Sequence, residues 1–251
     1  MPSDPDVPTV HVVWDWNGTL LDDFDLTAQI ARGTLSSLGV PGITGERIRA
    51  DFKRPFSDFY ASLFGRPITD AEFAYIRDRY ESEYHARLSE LELQPDALEA
   101  MDLLATRGAT QSLLSMAPDD QLQQLVDRHR IRSRLVSVEG SPRRDSDGRK
   151  AERLISHLEA IGANPRASVV IGDTVDDQEA AVAAGAGAVL VTTGSTSRSS
   201  LEATGAAVSD TLLEAARLAS GRRGRLSTPR VSPDAAGPAT PGSVGPVTAL
   251  E

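Results

Sequence analysis

The chain has 251 residues, enough for one large domain or two small ones with a sizeable core. Its 40% hydrophobic and 25% charged composition is that of a soluble globular protein, and a net charge of −10 argues against nucleic acid as the main partner, because binding a phosphate backbone needs clustered Lys and Arg. The absence of cysteine excludes disulfides and thiolate metal sites, and with neither a signal-peptide pattern nor the ~18 apolar residues of a membrane span, a cytoplasmic protein without a membrane partner is expected.

The first element is an apolar, valine-rich run, Val10 to Trp14, that reads as a buried strand and ends on Asp15 and a small polar turn, Asn17-Gly18-Thr19. Asp25 can cap a helix over residues 26–38, with Gly39 as its stop. Residues 51–67 are the aromatic-rich part of the chain. Thr69-Asp70-Ala71-Glu72 matches a capping box, after which Phe73, Ile76, Tyr80 and Tyr84 recur at helical spacing. Between Leu26 and Leu91 the pattern is helical, with no convincing strand.

From Pro95 the pattern alternates. Helices are expected over 96–107, 119–128, 150–161, from Asp173 to about 184, 199–203 and 211–219, and strands over 110–115, 135–138, 168–171 and 188–191. Strands alternating with helices at this spacing mean βαβ units and a parallel sheet. The expected fold is therefore α/β, a Rossmann-like, doubly wound parallel-sheet core with an α-helical cap inserted after the first strand. The core takes residues 7–22 and 96–221, and the cap 23–95. Residues 222–251 are rich in Pro, Gly, Ser, Thr and Ala without apolar periodicity, so they are expected to be a disordered tail.

Four separated features carry chemistry: Asp15 with its turn, Ser115 at the end of a strand, Lys150 at the start of a helix, and Gly172-Asp173-Thr174-Val175-Asp176-Asp177 after an apolar strand. Each has a plain alternative. Asn17-Gly18 can simply turn a hairpin, Ser115 can be a turn residue, Lys150 a surface charge, and Asp173 or Asp176 a helix cap. In a parallel sheet, however, all four fall at the carboxyl ends of strands or the helix starts beside them, where open α/β sheets hold ligands. Together they describe a phosphoryl-transfer site. Asp15 can attack phosphorus and form an aspartyl phosphate. A hard cation such as Mg²⁺ can sit on Asp15 and Asp173, Ser115 can donate to a phosphoryl oxygen, and Lys150 adds a fixed positive charge. Asp177 can position the lysine or complete the metal's surroundings.

The series Asp15-x-Asn17-Gly18-Thr19-Leu20, Ser115, Lys150, Gly172-Asp173-x-x-x-Asp177 resembles the haloacid dehalogenase superfamily, and within it the phosphoglycolate-phosphatase-like branch with a helical cap. The resemblance covers about residues 10–219. It implies a Mg²⁺-dependent phosphohydrolase acting on a small phosphorylated metabolite, as a monomer or weak homodimer. It implies Asp15 as nucleophile, Asp173 and the main-chain carbonyl of Asn17 as further metal ligands beside Asp177, and Ser115 and Lys150 as holders of the phosphoryl group. Gly18, Thr19, Met116, Lys53 and Arg54 are expected to line the substrate. One position departs from the pattern. Phosphatases of this family carry aspartate two residues after the nucleophile, to protonate the leaving group and then activate water, and this chain has Asn17. A cap residue, Asp22 or Asp23 would be its substitutes. Members acting on carbon–phosphorus bonds also lack that aspartate and use a cap lysine as a Schiff base, and Lys53 is the only lysine in the cap. A catalytically weak binding or regulatory protein is the third reading.

Overall fold

In the computed structural model, which describes residues 10–142 and 150–221, the valine-rich run forms β1 (His11–Trp14), paired on both sides within a six-stranded sheet. Its neighbours are β4 (Thr110–Pro118) and β6 (Ser168–Gly172), and β5 (Val138–Ser141), β7 (Gly187–Val191) and β8 (Ala207–Ser209) complete the order β5-β4-β1-β6-β7-β8. Every pairing in this sheet is parallel. The chain winds outward from β1 to one edge, then returns to the other side of β1, so the switch point of the doubly wound sheet lies there.

Alternation along β1 explains why it is apolar on both faces. Val12 and Trp14 pack against α5 (Ala97–Thr106) and α10 (Leu212–Gly221), while Val13 packs against α7 (Lys150–Ala160) and α8 (Val175–Ala184). The buried Trp14 indole N–H donates to Gln111 Oε1 at 2.9 Å, so the ring carries no unpaired donor into the core.

The chain leaves the core through β2 (Leu21–Asp22) and returns through β3 (Glu92–Leu93), which pair antiparallel. Between them lie α1 (Phe24–Ser37), α2 (Gly45–Asp51), α3 (Phe56–Phe64) and α4 (Asp70–Ala86). These helices share an apolar cluster of Phe24, Leu35, Ile48, Phe59, Leu63 and Ile76. α1 has a second apolar face, since Leu26 and Ile30 belong to the cluster that contains Trp14. The capping box at Thr69 is formed, with Glu72 N–H donating to Thr69 Oγ1 at 3.2 Å and Thr69 N–H to Glu72 Oε2 at 2.8 Å.

Several boundaries differ from the sequence reading, each for a local reason. α1 begins at Phe24, so Asp25 lies in its first turn and Asp23 takes the cap position without capping, because its carboxylate is used elsewhere. β4 runs on past Ser115 to Pro118, through a register shift between Leu114 and Pro118. β5 begins at Val138, not residue 135, since pairing starts where Val138 meets Leu113. Glu139, Gly140 and Ser141 gave no apolar signal although Gly140 and Ser141 are buried. The unexpected α2 and β8 are short, at 7 and 3 residues. The tail expected over 222–251 lies outside the described residues. Among the described residues no helix is long and apolar enough to cross a membrane.

A chain of hydrogen bonds, buried at His11, Ser112 and His157, links Thr110, His11, Ser112, His157 and Glu139. Thr110 Oγ1 and Ser112 Oγ each lie 2.8 Å from a ring nitrogen of His11, Ser112 Oγ lies 2.8 Å from His157 Nε2, and His157 Nδ1 lies 2.9 Å from Glu139. Glutamate can only accept, so His157 donates to Glu139 from Nδ1. Burial, helped by His157, lowers the His11 pKa from 6.5 to about 4. The unfolded chain therefore binds a proton that the folded chain refuses between those values, and stability is lost as pH falls from 6.5 to about 4. The shift is worth about 3 kcal/mol at most. Urea melts at pH 7 and pH 4.5 should show His11→Gln losing less stability than the native chain over that interval. An equal loss in both would contradict it. The carboxylates described next act with the opposite sign, so the comparison between the two proteins is the readout.

Candidate active site

Asp15 stands one residue beyond β1, and its N–H donates to Ile171 O on β6 at 2.9 Å. Asp173 stands one residue beyond β6, so the parallel pairing of Trp14 with Ile171 sets the two carboxylates side by side. Lys150, the first residue of α7, pairs through Nζ with both Asp15 Oδ1 and Asp177 Oδ1. Asp177, in the first turn of α8, also accepts from Thr174 N–H at 3.0 Å and Thr174 Oγ1 at 2.6 Å. Thr19 Oγ1 lies 3.4 Å from Asp15 Oδ2 and 3.4 Å from Asp173 Oδ1, between the two.

Backbone without side chains makes room for this cluster. Gly18 has φ +69°, and a Cβ there would come within 2.7 Å of Asp173 Oδ2. Cβ atoms at Gly172 and Gly194 would collide with the carboxylates of Asp177 and Asp173. Ser195 N–H donates to Asp173 Oδ2 at 2.7 Å.

The electrostatics of the cluster are those of an anionic site short of positive charge. Asp15, Asp173 and Asp177 each offer an oxygen within 4.8 Å of the others, and all three are buried. Lys150 balances only one of them. Burial pushes Asp15 up to about 6, with Lys150 opposing and Asp177 adding to the rise. Burial, then the charges of Asp15 and Asp177, hold Asp173 well above the usual carboxylate range. Burial alone would lower the Lys150 pKa, but Asp15 and Asp177 outweigh it and hold the ammonium above its ordinary value. The donors are oxygens only, the glycines keep the space open, and the excess is negative. Such a set fits a hard divalent cation, whose charge would reverse these carboxylate shifts.

The remaining expected residues are distributed unevenly around this centre. Ser115 is buried, and its Oγ accepts Ala117 N–H at 3.0 Å, which leaves its O–H to donate. Met116 is half-buried on the same strand. Thr19 is fully buried, so it supports the carboxylates and is closed to a substrate. Arg54 pairs with Asp176 Oδ2 at 3.0 Å and lies over the Phe56 ring, which brings the cap to the start of α8. Lys53 points to another place. It is exposed and borders a shallow depression on the cap with Asp58 and Arg66.

Asn17 is where sequence reasoning missed most. Its Nδ2 donates to Asp23 Oδ2 at 2.7 Å and lies 2.8 Å from the Tyr84 hydroxyl, which itself donates to Asp23 at 2.8 Å. Gly18 N–H donates to the other oxygen of Asp23 at 2.7 Å. The amide thus ties the motif turn to α4 of the cap, and Asp23 is buried behind it. Burial also raises the Asp23 pKa against the pull of these donors. The turn after β7 was missed as well. Thr193 Oγ1 donates to Gly18 O at 2.6 Å, and Ser195 holds Asp173. Its signal is the one that marks Asp173, a polar glycine-bearing turn directly after an apolar strand.

The HAD-hydrolase-like family model matches residues 149–215, which contain Lys150, Asp173 and Asp177. The phosphoglycolate phosphatase of Chromobacterium violaceum is 25% identical over 201 residues, covering 76% of this chain and 89% of its own. The chain is similar to hydrolases of the haloacid dehalogenase superfamily. Solved structures bear out the fold. A haloacid dehalogenase-like hydrolase from Streptococcus pneumoniae superposes with a TM-score of 0.69 at 20% identity, covering 82% of this chain and 96% of that one. A HAD hydrolase of family IA, variant 3, from Entamoeba histolytica gives 0.65 at 15% identity, over 85% and 100%. The chain therefore sets its buried carboxylates where the sheet's winding reverses, beside a helical layer joined to the core at Asn17, Arg49 and Arg54.

Proposed function

We propose that the protein is a Mg²⁺-dependent phosphohydrolase that acts on a small phosphorylated metabolite through an aspartyl phosphate on Asp15. The observation that carries this reading is the Asp15 carboxylate, buried between Lys150 and Asp173 at the end of β1. Asp15, Asp173 and the Asn17 carbonyl would hold Mg²⁺, which supplies charge neutralisation at the phosphoryl oxygens. Asp177, with both oxygens already engaged by Lys150 and Thr174, orients the lysine. Lys150 fixes Asp15 and offers positive charge to the phosphoryl group, and Ser115 O–H donates to it. A carboxylate oxygen of Asp15 bonds to phosphorus as the bond to the leaving oxygen breaks, and the electron pair departs with the leaving group. Water then attacks the phosphorus of the aspartyl phosphate, releasing phosphate and restoring the carboxylate.

Asn17 supplies no proton for the first step. Asp23 is shut behind Asn17, Gly18 and Tyr84, which take both its oxygens, so it does not replace it, and Asp22 is exposed beside Gln94. Leaving groups that depart as stable anions suit this site: a carboxylate from an acyl phosphate, or an activated phenolate. Phosphoglycolate, named for the relative from Chromobacterium, releases an alkoxide and is expected to be the slower substrate here. General acid–base catalysis is worth roughly 10²–10⁴-fold, which sets the expected gap. Rates for acyl, aryl and alkyl phosphates, with Mg²⁺ and after chelation, test this. Acyl and aryl phosphates should lead by about 10²-fold or more, with all activity lost on chelation. Equal rates across the series would place a proton donor elsewhere. The carbon–phosphorus reading is less favoured, because Lys53 is exposed on the cap beside Asp58 and Arg66.

A further inference from the structure

The turn after β7 touches three parts of the molecule at once. Thr193 Oγ1 donates to the carbonyl of Gly18 at 2.6 Å, so it braces the turn that carries Asp15. Ser195 N–H donates to Asp173 Oδ2 at 2.7 Å, and Gly194 packs so closely on that carboxylate that no side chain fits. The third contact is to the cap. Arg49, on α2, donates from Nε to Gly194 O at 2.8 Å, and its own carbonyl accepts Ser197 N–H at 3.0 Å. The Arg49 guanidinium carbon lies 3.6 Å from the ring centroid of Phe24, the first residue of α1. Arg49 therefore joins the start of α1 and the Gly194 carbonyl through its half-buried side chain, and the backbone at Ser197 through its own carbonyl on α2. The cap arginines Arg66 and Arg47 pair with the nearby acids Glu72 and Asp51. Arg49 is spent on main-chain atoms of the core.

We infer that Arg49 is a positioning residue for the cation site: by clamping residues 194–197 it holds the Ser195 amide on Asp173, so that docking of the cap and binding of the cation favour one another. The inference rests on the reading of Asp173 as a cation ligand. The coupling is reciprocal by thermodynamic necessity. A cation on Asp173 fixes the turn that Arg49 grips and so favours the docked cap. A lifted cap frees the turn, loosens Asp173, and lowers affinity for the cation. Arg54 and Asn17 also join cap to core, but Arg49 is the contact that reaches the backbone holding a carboxylate of the cluster.

The test uses the full chain without substrate. Mg²⁺ is titrated by calorimetry into the native protein, Arg49→Met, which keeps the stem over Phe24 but loses the Nε donor, and Arg66→Ala as a cap control. Arg49→Met should bind Mg²⁺ roughly fivefold or more weakly, at the lower end of typical coupling, with Arg66→Ala unchanged. Amide exchange gives a second readout, independent of turnover. Mg²⁺ should slow exchange in α2 of the native protein and leave it unslowed in Arg49→Met. Where Arg49→Met does not fold, Phe24→Leu removes the ring under the guanidinium and should weaken Mg²⁺ in the same direction. Native affinity in a folded Arg49→Met or Phe24→Leu overturns the coupling alone. A native protein that binds no Mg²⁺ overturns the phosphohydrolase reading itself, and the coupling with it.

Discussion

Asp15→Asn should bring turnover down to background, a loss of at least roughly 10⁴-fold, while the protein stays folded. The amide keeps the shape of the carboxylate and can still accept from Lys150, but it has no charge with which to attack phosphorus. Folding is spared for an electrostatic reason. Burial already holds Asp15 and Asp173 above their ordinary pKa values, so a neutral group at Asp15 relieves repulsion as it gives up part of an ion pair. Circular dichroism and thermal melting check the fold, and turnover of an acyl phosphate checks the chemistry. Appreciable turnover in a folded Asp15→Asn protein would rule out Asp15 as nucleophile.

Asn17→Asp, which restores the residue the family's phosphatases carry, should cost stability and bring little speed. The new carboxylate would face Asp23 Oδ2, where the amide now donates at 2.7 Å within a buried group that includes Tyr84. Two carboxyls so close must share a proton, and a donor is lost. A destabilisation of about 2 kcal/mol is expected, seen as a melting point lower by roughly 4–8 °C. Asn17→Asp combined with Asp23→Asn exchanges amide and carboxylate, and should recover most of the loss. The coupling of the two changes in a double-mutant cycle is the measure. Alkyl phosphates should gain less than tenfold from Asn17→Asp, far short of the roughly 10²–10⁴-fold share of a working general acid. An unchanged melting point with a hundredfold gain would mean that residue 17 faces the leaving group and not Asp23.

The parts of this account that were legible in the sequence are those written in local pattern. The valine-rich run ending on Asp15 and the apolar strand ending on Asp173 carried their positions with them, because a parallel strand fixes what lies at its carboxyl end. The capping box at Thr69 and the helix from Asp119 to Arg128 were equally local. What stayed hidden depended on partners far apart in the chain. Asp23 looks like a helix cap until Asn17, Gly18 and Tyr84, 61 residues further on, take its oxygens. Arg49 looks like one more cap arginine until its partner at Gly194, 145 residues away, is known. Asp177 could be read as metal ligand or lysine partner, and its contacts with Lys150 and Thr174 were not visible in the sequence. The edge strands β5 and β8 lacked an apolar signal because they are short and built largely of small or polar residues, Val-Glu-Gly-Ser and Ala-Val-Ser.

Trapping the covalent intermediate tests the central claim most directly. Asp15 is placed to form an acyl phosphate, and Asn17 offers no base to hasten its hydrolysis, so the intermediate should accumulate. The native protein is mixed with an acyl phosphate and Mg²⁺, quenched during turnover, and reduced with borohydride, which converts a phosphorylated aspartate to homoserine. Peptide mass analysis should find homoserine at position 15, dependent on Mg²⁺ and absent without substrate. Unmodified Asp15 in a protein that is turning over, or phosphate found instead on Ser115, would contradict the account.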